Sequence, residues 1–366
     1  MNMTLKLKKT LIFAILVFST VLVRAEDKRF VFTEASDLTL VGKLIQDTPN
    51  PYHRVDTCRF KGFSRAENNQ VRCSAGLAVL FQTNSSVISV KGEYGYCNMG
   101  VNTMGIALRG YDLYIKKEGK WVYASAKCPS DGNRSANTVL VRGMDQSMKE
   151  CMLYLPMYSE MYSVKIGIEE GAEIQPLESP FRHRIGIFGS SFTQGISASR
   201  SGMSYPMQFM RNTGLQLLSL GCSGNSKLQP YFAEVLAAAD VDAILFDSFS
   251  NPNAGLIQER LFPFIEIIQK SHPDIPLIFM QTIYREGRNF SESVDRYEKE
   301  KMAMSEKMMK EAMKKYKNVF FIYPDTGKEA RESSVDGIHP SDMGYQAWAR
   351  SIEKPVLKIL KKYGLD

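Results

Sequence analysis

The sequence predicts an α/β fold: a parallel sheet of five strands with helices on both faces, preceded by an all-β sandwich or jelly roll. Three observations lead there. Short runs rich in aromatic and β-branched residues, punctuated by Gly and Asn, fill residues 27–175. The stretch Gln175-Pro176-Leu177-Glu178-Ser179-Pro180 then breaks the pattern. Beyond it, buried strands alternate with helices to the end of the chain, and such alternation specifies a parallel sheet covered on both sides. At 366 residues the chain is also too long for one ordinary core. The expected division is a signal sequence at 1–25, a β-domain at 26–176 and an α/β domain at 177–366.

In the first half, strands are expected at Gly76–Gln82, Ser86–Gly92, Gly105–Ile115, Lys120–Ser125, Thr138–Arg142 and Ser163–Glu169. The run from Tyr111 to Tyr123 reads as a hairpin turning at Glu118-Gly119. Strands at this spacing favour a sandwich. In the second half the strands are Arg184–Phe188, Leu215–Leu220, Ala243–Phe249, Pro276–Thr282 and Asn318–Tyr323. Helices are expected near Ser204–Asn212, Pro230–Ala239, Leu256–Lys270, Ser291–Tyr316 and Tyr345–Lys361. The methionines of the fourth of these (Met302, Met304, Met308, Met309, Met313) read as core packing.

The first 25 residues stand apart. Lys6, Lys8 and Lys9 precede an apolar run from Leu11 to Val23, shorter than the roughly 18 residues a membrane span needs. The run ends at Val23-Arg24-Ala25, a cleavable export signal with cleavage after Ala25, so no stable membrane insertion is expected afterwards. Cleavage removes four basic residues (Lys6, Lys8, Lys9, Arg24) and no acidic one, so the formal charge of +7 falls to +3. That excess is too small to suggest a nucleic-acid partner. Six cysteines in an exported chain permit disulfides such as Cys58–Cys73 without specifying a pairing. None has zinc-like CxxC spacing, so neither metal nor cofactor is expected.

Polar residues gather in four loops that follow strands of the second half, where sheets of this kind place their chemistry. The first is Gly189-Ser190-Ser191, where a serine hydroxyl sits at the start of a helix. The second is Gly221-Cys222-Ser223-Gly224-Asn225, whose glycine lets a backbone N–H approach a ligand. The third is Asp247-Ser248-Phe249-Ser250-Asn251-Pro252-Asn253. An asparagine amide there suits an oxyanion, with Asn251 and Asn253 as rivals. The fourth is Asp336-Gly337-Ile338-His339-Pro340, where a turn brings a carboxylate within reach of an imidazole. A carboxylate on one ring nitrogen leaves the other free to deprotonate a serine. Singly, each loop could be an ordinary cap or turn. Their order along one sheet is what points to a shared site.

That constellation, spanning about residues 184–362, resembles the SGNH (GDSL) hydrolase family. Gly189-Ser190-Ser191 pairs with its Gly-Asp-Ser block, Gly224 with its glycine block and Asn251 with its Gly-x-Asn block. Asp336-Gly337-Ile338-His339-Pro340 matches its last block. Two departures stand out: Ser190 replaces an aspartate, and Phe249-Ser250 precede Asn251 without the block's glycine. Gly110-Tyr111-Asp112-Leu113-Tyr114 resembles the β-domain that precedes the hydrolase in one bacterial branch. The resemblance implies a flavodoxin-like three-layer α/β/α domain with strand order 2-1-3-4-5. It further implies metal-free ester hydrolysis by Ser191 (nucleophile), His339 (base) and Asp336, with an oxyanion hole from Ser191, Gly224 and Asn251. The expected substrates are small-molecule or polysaccharide esters, O-acetylated carbohydrate foremost, met in the periplasm or outside the cell. Two alternatives stay open: a lipase or thioesterase for longer acyl chains, and a glycan-binding protein whose hydrolase half has lost activity.

Overall fold

The computed structural model describes residues 29–98, 100–130, 132–327 and 332–365; the export signal expected at 1–25 lies outside them. The first half holds strands β1 (Phe30–Glu34), β2 (Thr39–Val41), β3 (Ala78–Thr83), β4 (Val87–Cys97), β5 (Tyr111–Lys117), β6 (Lys120–Lys127), β7 (Thr138–Arg142), β8 (Lys149–Tyr154), β9 (Ser159–Glu169) and β10 (Ile174–Pro176). Helix α1 (Arg65–Arg72) and the short α2 (Gly105–Arg109) interrupt them. The strands form two antiparallel sheets, β1-β9-β4-β7 and β10-β3-β8-β5-β6, with β2 and β10 sharing one edge of β3. Side chains of both sheets meet in one apolar layer. Val79, Phe81, Leu113 and Leu153 come from one sheet, and Ile88, Val90, Val164 and Ile166 from the other. This is the expected sandwich.

Strand alternation explains how the sandwich joins the rest of the chain. In β3, Val79 and Phe81 fill the sandwich, whereas Ala78 and Leu80 belong to a second core shared with the C-terminal half. Likewise in β8, Cys151 and Leu153 face one core, Met152 and Tyr154 the other. A period of two thus buries the centre of the six-stranded sheet on both faces, while β6 and β10 at its edges stay partly exposed. The Gly110–Tyr114 stretch follows the same logic: Tyr111 and Leu113 enter the sandwich, and Asp112 and Tyr114 meet the second half. Asp112 accepts hydrogen bonds from Arg200 (2.8 Å) and Gly202 N–H (2.8 Å), and the Tyr114 hydroxyl lies 2.6 Å from Arg200. The wholly buried Arg54 donates to the carbonyls of Ser219 (3.3 Å) and Gly221 (3.0 Å).

The second half comprises β11 (Arg182–Gly189), α3 (Ser191–Gln194), α4 (Tyr205–Thr213), β12 (Leu215–Gly221), α5 (Pro230–Ala237), β13 (Ala243–Asp247), α6 (Ala254–Ser271), β14 (Leu277–Met280), α7 (Glu292–Lys315), β15 (Val319–Ile322) and α8 (Asp342–Leu360). Its strands are parallel in the order β12-β11-β13-β14-β15. Numbered within the domain, that is 2-1-3-4-5. One face carries Ile187, Leu217, Leu245 and Ile278 against Met207 and Trp348; the other carries Phe188, Leu218, Phe246 and Phe279 against Phe232, Phe264 and Met309. Of the α7 methionines, Met308 and Met309 are core and Met313 is exposed.

Three local readings change. The segment expected as one strand at 105–115 is a helical turn followed by β5, because Gly110 N–H returns to the Ile106 carbonyl at 3.0 Å. Helix α1, absent from the expectation, carries a readable signature: Ser64 accepts from Glu67 N–H while the Glu67 carboxylate accepts from Ser64 N–H, a capping box. All six cysteines are free thiols, with Cys58 exposed and Cys73 buried, so the Cys58–Cys73 bridge is not formed. The hairpin turns as expected, with Glu118 and Gly119 both at positive φ, the two-residue geometry that matches strand twist. Among the described residues no helix is long and apolar enough to cross a membrane.

Candidate active site

Ser191 opens α3 directly after β11, so its N–H is among those of a first helical turn that have no intrahelical acceptor. Its hydroxyl lies 3.0 Å from His339 Nε2. The other ring nitrogen, Nδ1, lies 2.8 Å from Asp336 Oδ2. A carboxylate only accepts, so Nδ1 carries the proton and Nε2 presents its lone pair to Ser191. A tight turn delivers this pair: Asp336 Oδ1 accepts the N–H groups of His339 (2.8 Å) and Ile338 (3.0 Å). The turn needs Gly337 at φ +80°, and its carbonyl accepts Gly287 N–H at 2.7 Å. Burial pulls the Asp336 carboxyl up. Donors from Asn102, the imidazole and His339 N–H outweigh it and bring its pKa down to about 2. Phe192, next to Ser191, packs edge-on against both His339 (5.5 Å) and Trp348 (5.7 Å) and so props the imidazole.

The remaining loops converge on the same end of the sheet. Gly224 is exposed in the turn after β12. Its neighbour Ser223 is held through Gln194 Oε1 (2.9 Å) and the Tyr158 hydroxyl (2.6 Å). Asn251 Oδ1 accepts Ser226 N–H at 3.2 Å, which leaves the Asn251 amide nitrogen to donate elsewhere. Asn253, its rival, is exposed and caps α6 through Leu256 N–H at 2.9 Å. That bond uses only its oxygen, so the Asn253 amide nitrogen, like that of Asn251, keeps its capacity to donate.

Both departures from the family motifs have a structural reason. Ser190 cannot supply a carboxylate, but Asp247 at the end of β13 does. Asp247 Oδ2 accepts from Ser190 Oγ (2.7 Å), Ser190 N–H (3.2 Å) and Thr193 Oγ1 (3.1 Å). Its Oδ1 accepts from Ser250 Oγ at 2.8 Å. One buried carboxylate therefore ties the Ser190–Ser191 loop to the third loop. Phe249, where the motif has glycine, turns into the core against Phe279 and Phe321. The third loop is held further by a buried cluster: Arg285 and Lys301 both pair with Glu298 (3.0 and 2.7 Å), and both reach the Ser250 carbonyl (2.6 and 3.3 Å). Burial lowers the Lys301 pKa to about 8.

Sequence reasoning missed Asp247, the Arg285–Glu298–Lys301 cluster and Asn102. Only Asp247 had a readable signal, since it closes a strand immediately before the third loop. Asn102 comes from the sandwich half. Its amide donates to Asp336 Oδ2 at 2.9 Å, and the next residue, Thr103, accepts Ser197 N–H at 2.8 Å.

A model of the GDSL-like lipase/acylhydrolase family matches residues 182–358, and one for the N-terminal region of SGNH-hydrolase-type esterases, named GxDLY, matches residues 30–174. Among solved structures, a protein of Bacteroides ovatus described as a GDSL-like lipase is 36% identical, with 91% of this chain and 98% of that one covered and a TM-score of 0.87. A salicylyl-acyltransferase from a tetracycline biosynthetic pathway is 21% identical over 92% of this chain and 99% of its own, with a TM-score of 0.66. A family two carbohydrate esterase from Cellvibrio japonicus is 11% identical over 91% and 99%, with a TM-score of 0.59. These last two share the fold. No curated protein sequence matches significantly.

Proposed function

Because the chain belongs to the GDSL-like lipase/acylhydrolase family and is a carboxylic ester hydrolase, we propose that it removes small acyl groups, O-acetyl foremost, from carbohydrate by way of Ser191, His339 and Asp336. The observation that carries this reading is the hydrogen-bonded chain from Ser191 Oγ through His339 to Asp336, at 3.0 and 2.8 Å. His339 Nε2 takes the Ser191 proton as Oγ attacks the ester carbonyl. The oxyanion is received by the N–H groups of Ser191 and Gly224 and by the Asn251 amide. The imidazolium returns its proton to the departing alcohol. Water then attacks the acyl-enzyme under the same base, freeing the acid and restoring Ser191. The scheme needs neither metal nor cofactor.

Two considerations support carbohydrate as the alcohol part. Family two carbohydrate esterases share this fold over both halves of the chain. An exported, near-neutral chain also meets polymers and their fragments outside the cytoplasm. In this reading the halves are two domains meeting near residues 176–177, and both frame the cleft. A second reading, esters of longer acyl chains or apolar alcohols, is favoured by one feature. Exposed Val101, Met104, Val335 and Met343 line a groove of about 570 Å³ beside Asn102.

Acetylated xylan and acetylated oligosaccharides, offered beside butyryl and octanoyl nitrophenyl esters, separate the two readings. Acetate release from the glycans is expected, with kcat/KM falling as the acyl chain lengthens. A preference for octanoyl over acetyl, with no acetate freed from any glycan, would assign the enzyme to the second reading. Export has its own measurement. The intact mass of protein from the envelope fraction should correspond to a chain starting at Glu26, and a retained Met1 contradicts it.

A further inference from the structure

The loop at 101–104 belongs to the sandwich half, yet it lies against the hydrolase half at the point where His339 is oriented. Asn102 Nδ2 and His339 Nδ1 both donate to the same atom, Asp336 Oδ2, at 2.9 and 2.8 Å. Their mutual distance of 3.4 Å is donor to donor and carries no bond. The other carboxylate oxygen is occupied by the N–H groups of Ile338 and His339. Without Asn102, the Oδ2 end of the carboxylate would be held by the imidazole alone. The ring it should orient would then be its only anchor on that side.

We propose that Asn102 is a positioning residue for ester hydrolysis, contributed by the sandwich half, which clamps the Asp336 carboxylate in the plane that directs His339 Nε2 at Ser191. This rests on the assignment of Ser191, His339 and Asp336 given above. An amide suits the position. It donates without adding charge, whereas a second carboxylate would repel Asp336 and a lysine or arginine would compete with the imidazolium for it. The clamp also gives the shared core a functional consequence: the hydrolase half has its base fully oriented only while the sandwich is docked.

The direction of the pH effect follows from the hydrogen bonds. A donor on Asp336 withdraws part of the negative charge that stabilises the imidazolium. Removing Asn102 therefore strengthens the remaining Asp336–His339 interaction, and the acid limb of the rate profile is expected to move to higher pH. Other charged or titratable groups around the pair are accounted for. Glu286 is bound by Ser333 and Ser334, Asp342 by Ser199, and the Tyr345 phenol is buried on the Ile196 carbonyl. Arg285 lies over the Phe192 ring at 5.5 Å and pairs with Glu298. Asp336 itself remains ionised throughout, with its pKa at about 2.

The test is a double-mutant cycle in the full chain, read with a nitrophenyl acetate. Asn102→Ala should lower kcat roughly 10- to 100-fold with little change in KM, as expected for a loosened catalytic orientation. The acid limb of its kcat/KM profile should move to higher pH. In an Asp336→Asn background the same substitution should cost less than about threefold, because coupled residues are not additive. Thr103→Val removes both the acceptor of Ser197 N–H and the hydroxyl 3.5 Å from Asn102 Oδ1 while leaving the Asn102 amide in place, so it should cost less in kcat than Asn102→Ala. An Asn102→Ala enzyme with wild-type kcat, or an equal loss in both backgrounds with an unmoved acid limb, overturns the proposal. Failure of the esterase reading is distinguishable, since wild type and Ser191→Ala would then have equal activity.

Discussion

Ser191→Ala and His339→Ala should each lower kcat by roughly four to six orders of magnitude while leaving the melting temperature unchanged. Residues that act as one unit lose nearly everything when either is removed, and what remains comes from binding and the oxyanion donors. Ser191 is buried, at 7% exposure, but alanine removes only its hydroxyl oxygen and so leaves no cavity of consequence. His339 lies on a turn whose shape depends on Asp336 and Gly337 rather than on the ring. The other three histidines supply the control. His53 pairs with Glu160 at 3.0 Å, His183 is on β11 with Asp242 3.9 Å away, and His272 follows α6 with its ring against the Leu236 carbonyl. None of them is bonded to Ser191, so His183→Ala should keep activity, and a loss equal to that of His339→Ala would sink the assignment of the base. An active-site phosphonate should label wild type and not Ser191→Ala. An unlabelled wild type would instead favour a glycan-binding protein that no longer turns over.

Asp247→Ala is expected to be damaging in two ways at once. Burial pushes the Asp247 carboxyl up, against the pull of the Ser190, Ser250 and Thr193 donors that surround it. Alanine removes the cost of that burial but leaves Ser190 N–H and up to three hydroxyls without their acceptor. Each orphaned buried group costs about 1–3 kcal/mol, so the net loss should be roughly 2–4 kcal/mol. The nucleophile turn is then free to drift, and a displacement of about 1 Å costs roughly a hundredfold in rate. Asp247→Asn, which retains one accepting oxygen and nearly the same volume, should fall between alanine and wild type in both measures. Denaturant unfolding followed beside kcat checks this. An alanine variant with wild-type stability and rate would show that Ser190 needs no carboxylate behind it.

The parts of the site that were legible from sequence share a cause. The candidate residues Ser191, Gly224 and Asn251 each follow a strand closely, Asp336 and His339 lie on the longer connection after the last strand, and a parallel sheet brings the ends of its strands together wherever the helices go. Reading the strands was therefore enough to place these loops at one end. Asp336 and His339 were legible for a second reason, since three residues and a glycine suffice to close a turn. The rivalry between Asn251 and Asn253 was not legible. Two asparagines two residues apart look alike in sequence, and only the structure shows that one of them also caps a helix.

By itself the sequence determined the two kinds of architecture and the hairpin at Glu118-Gly119, while the order of the parallel sheet came only through the family resemblance. The first two depend on interactions between near neighbours or on a repeating period. It also placed a serine, a histidine and an aspartate on loops that a sheet must gather. Only the tertiary structure decided that Asp247 stands in for the missing aspartate at Ser190. The same is true of Asn102, which reaches Asp336 from 234 residues away, and of the second face of the six-stranded sheet, which is covered by the other half of the chain. Those pairings have no period and no fixed spacing. A hydrogen bond depends on where two atoms end up to within a few tenths of an ångström, and for residues this distant that position is set by the packing of two cores against each other.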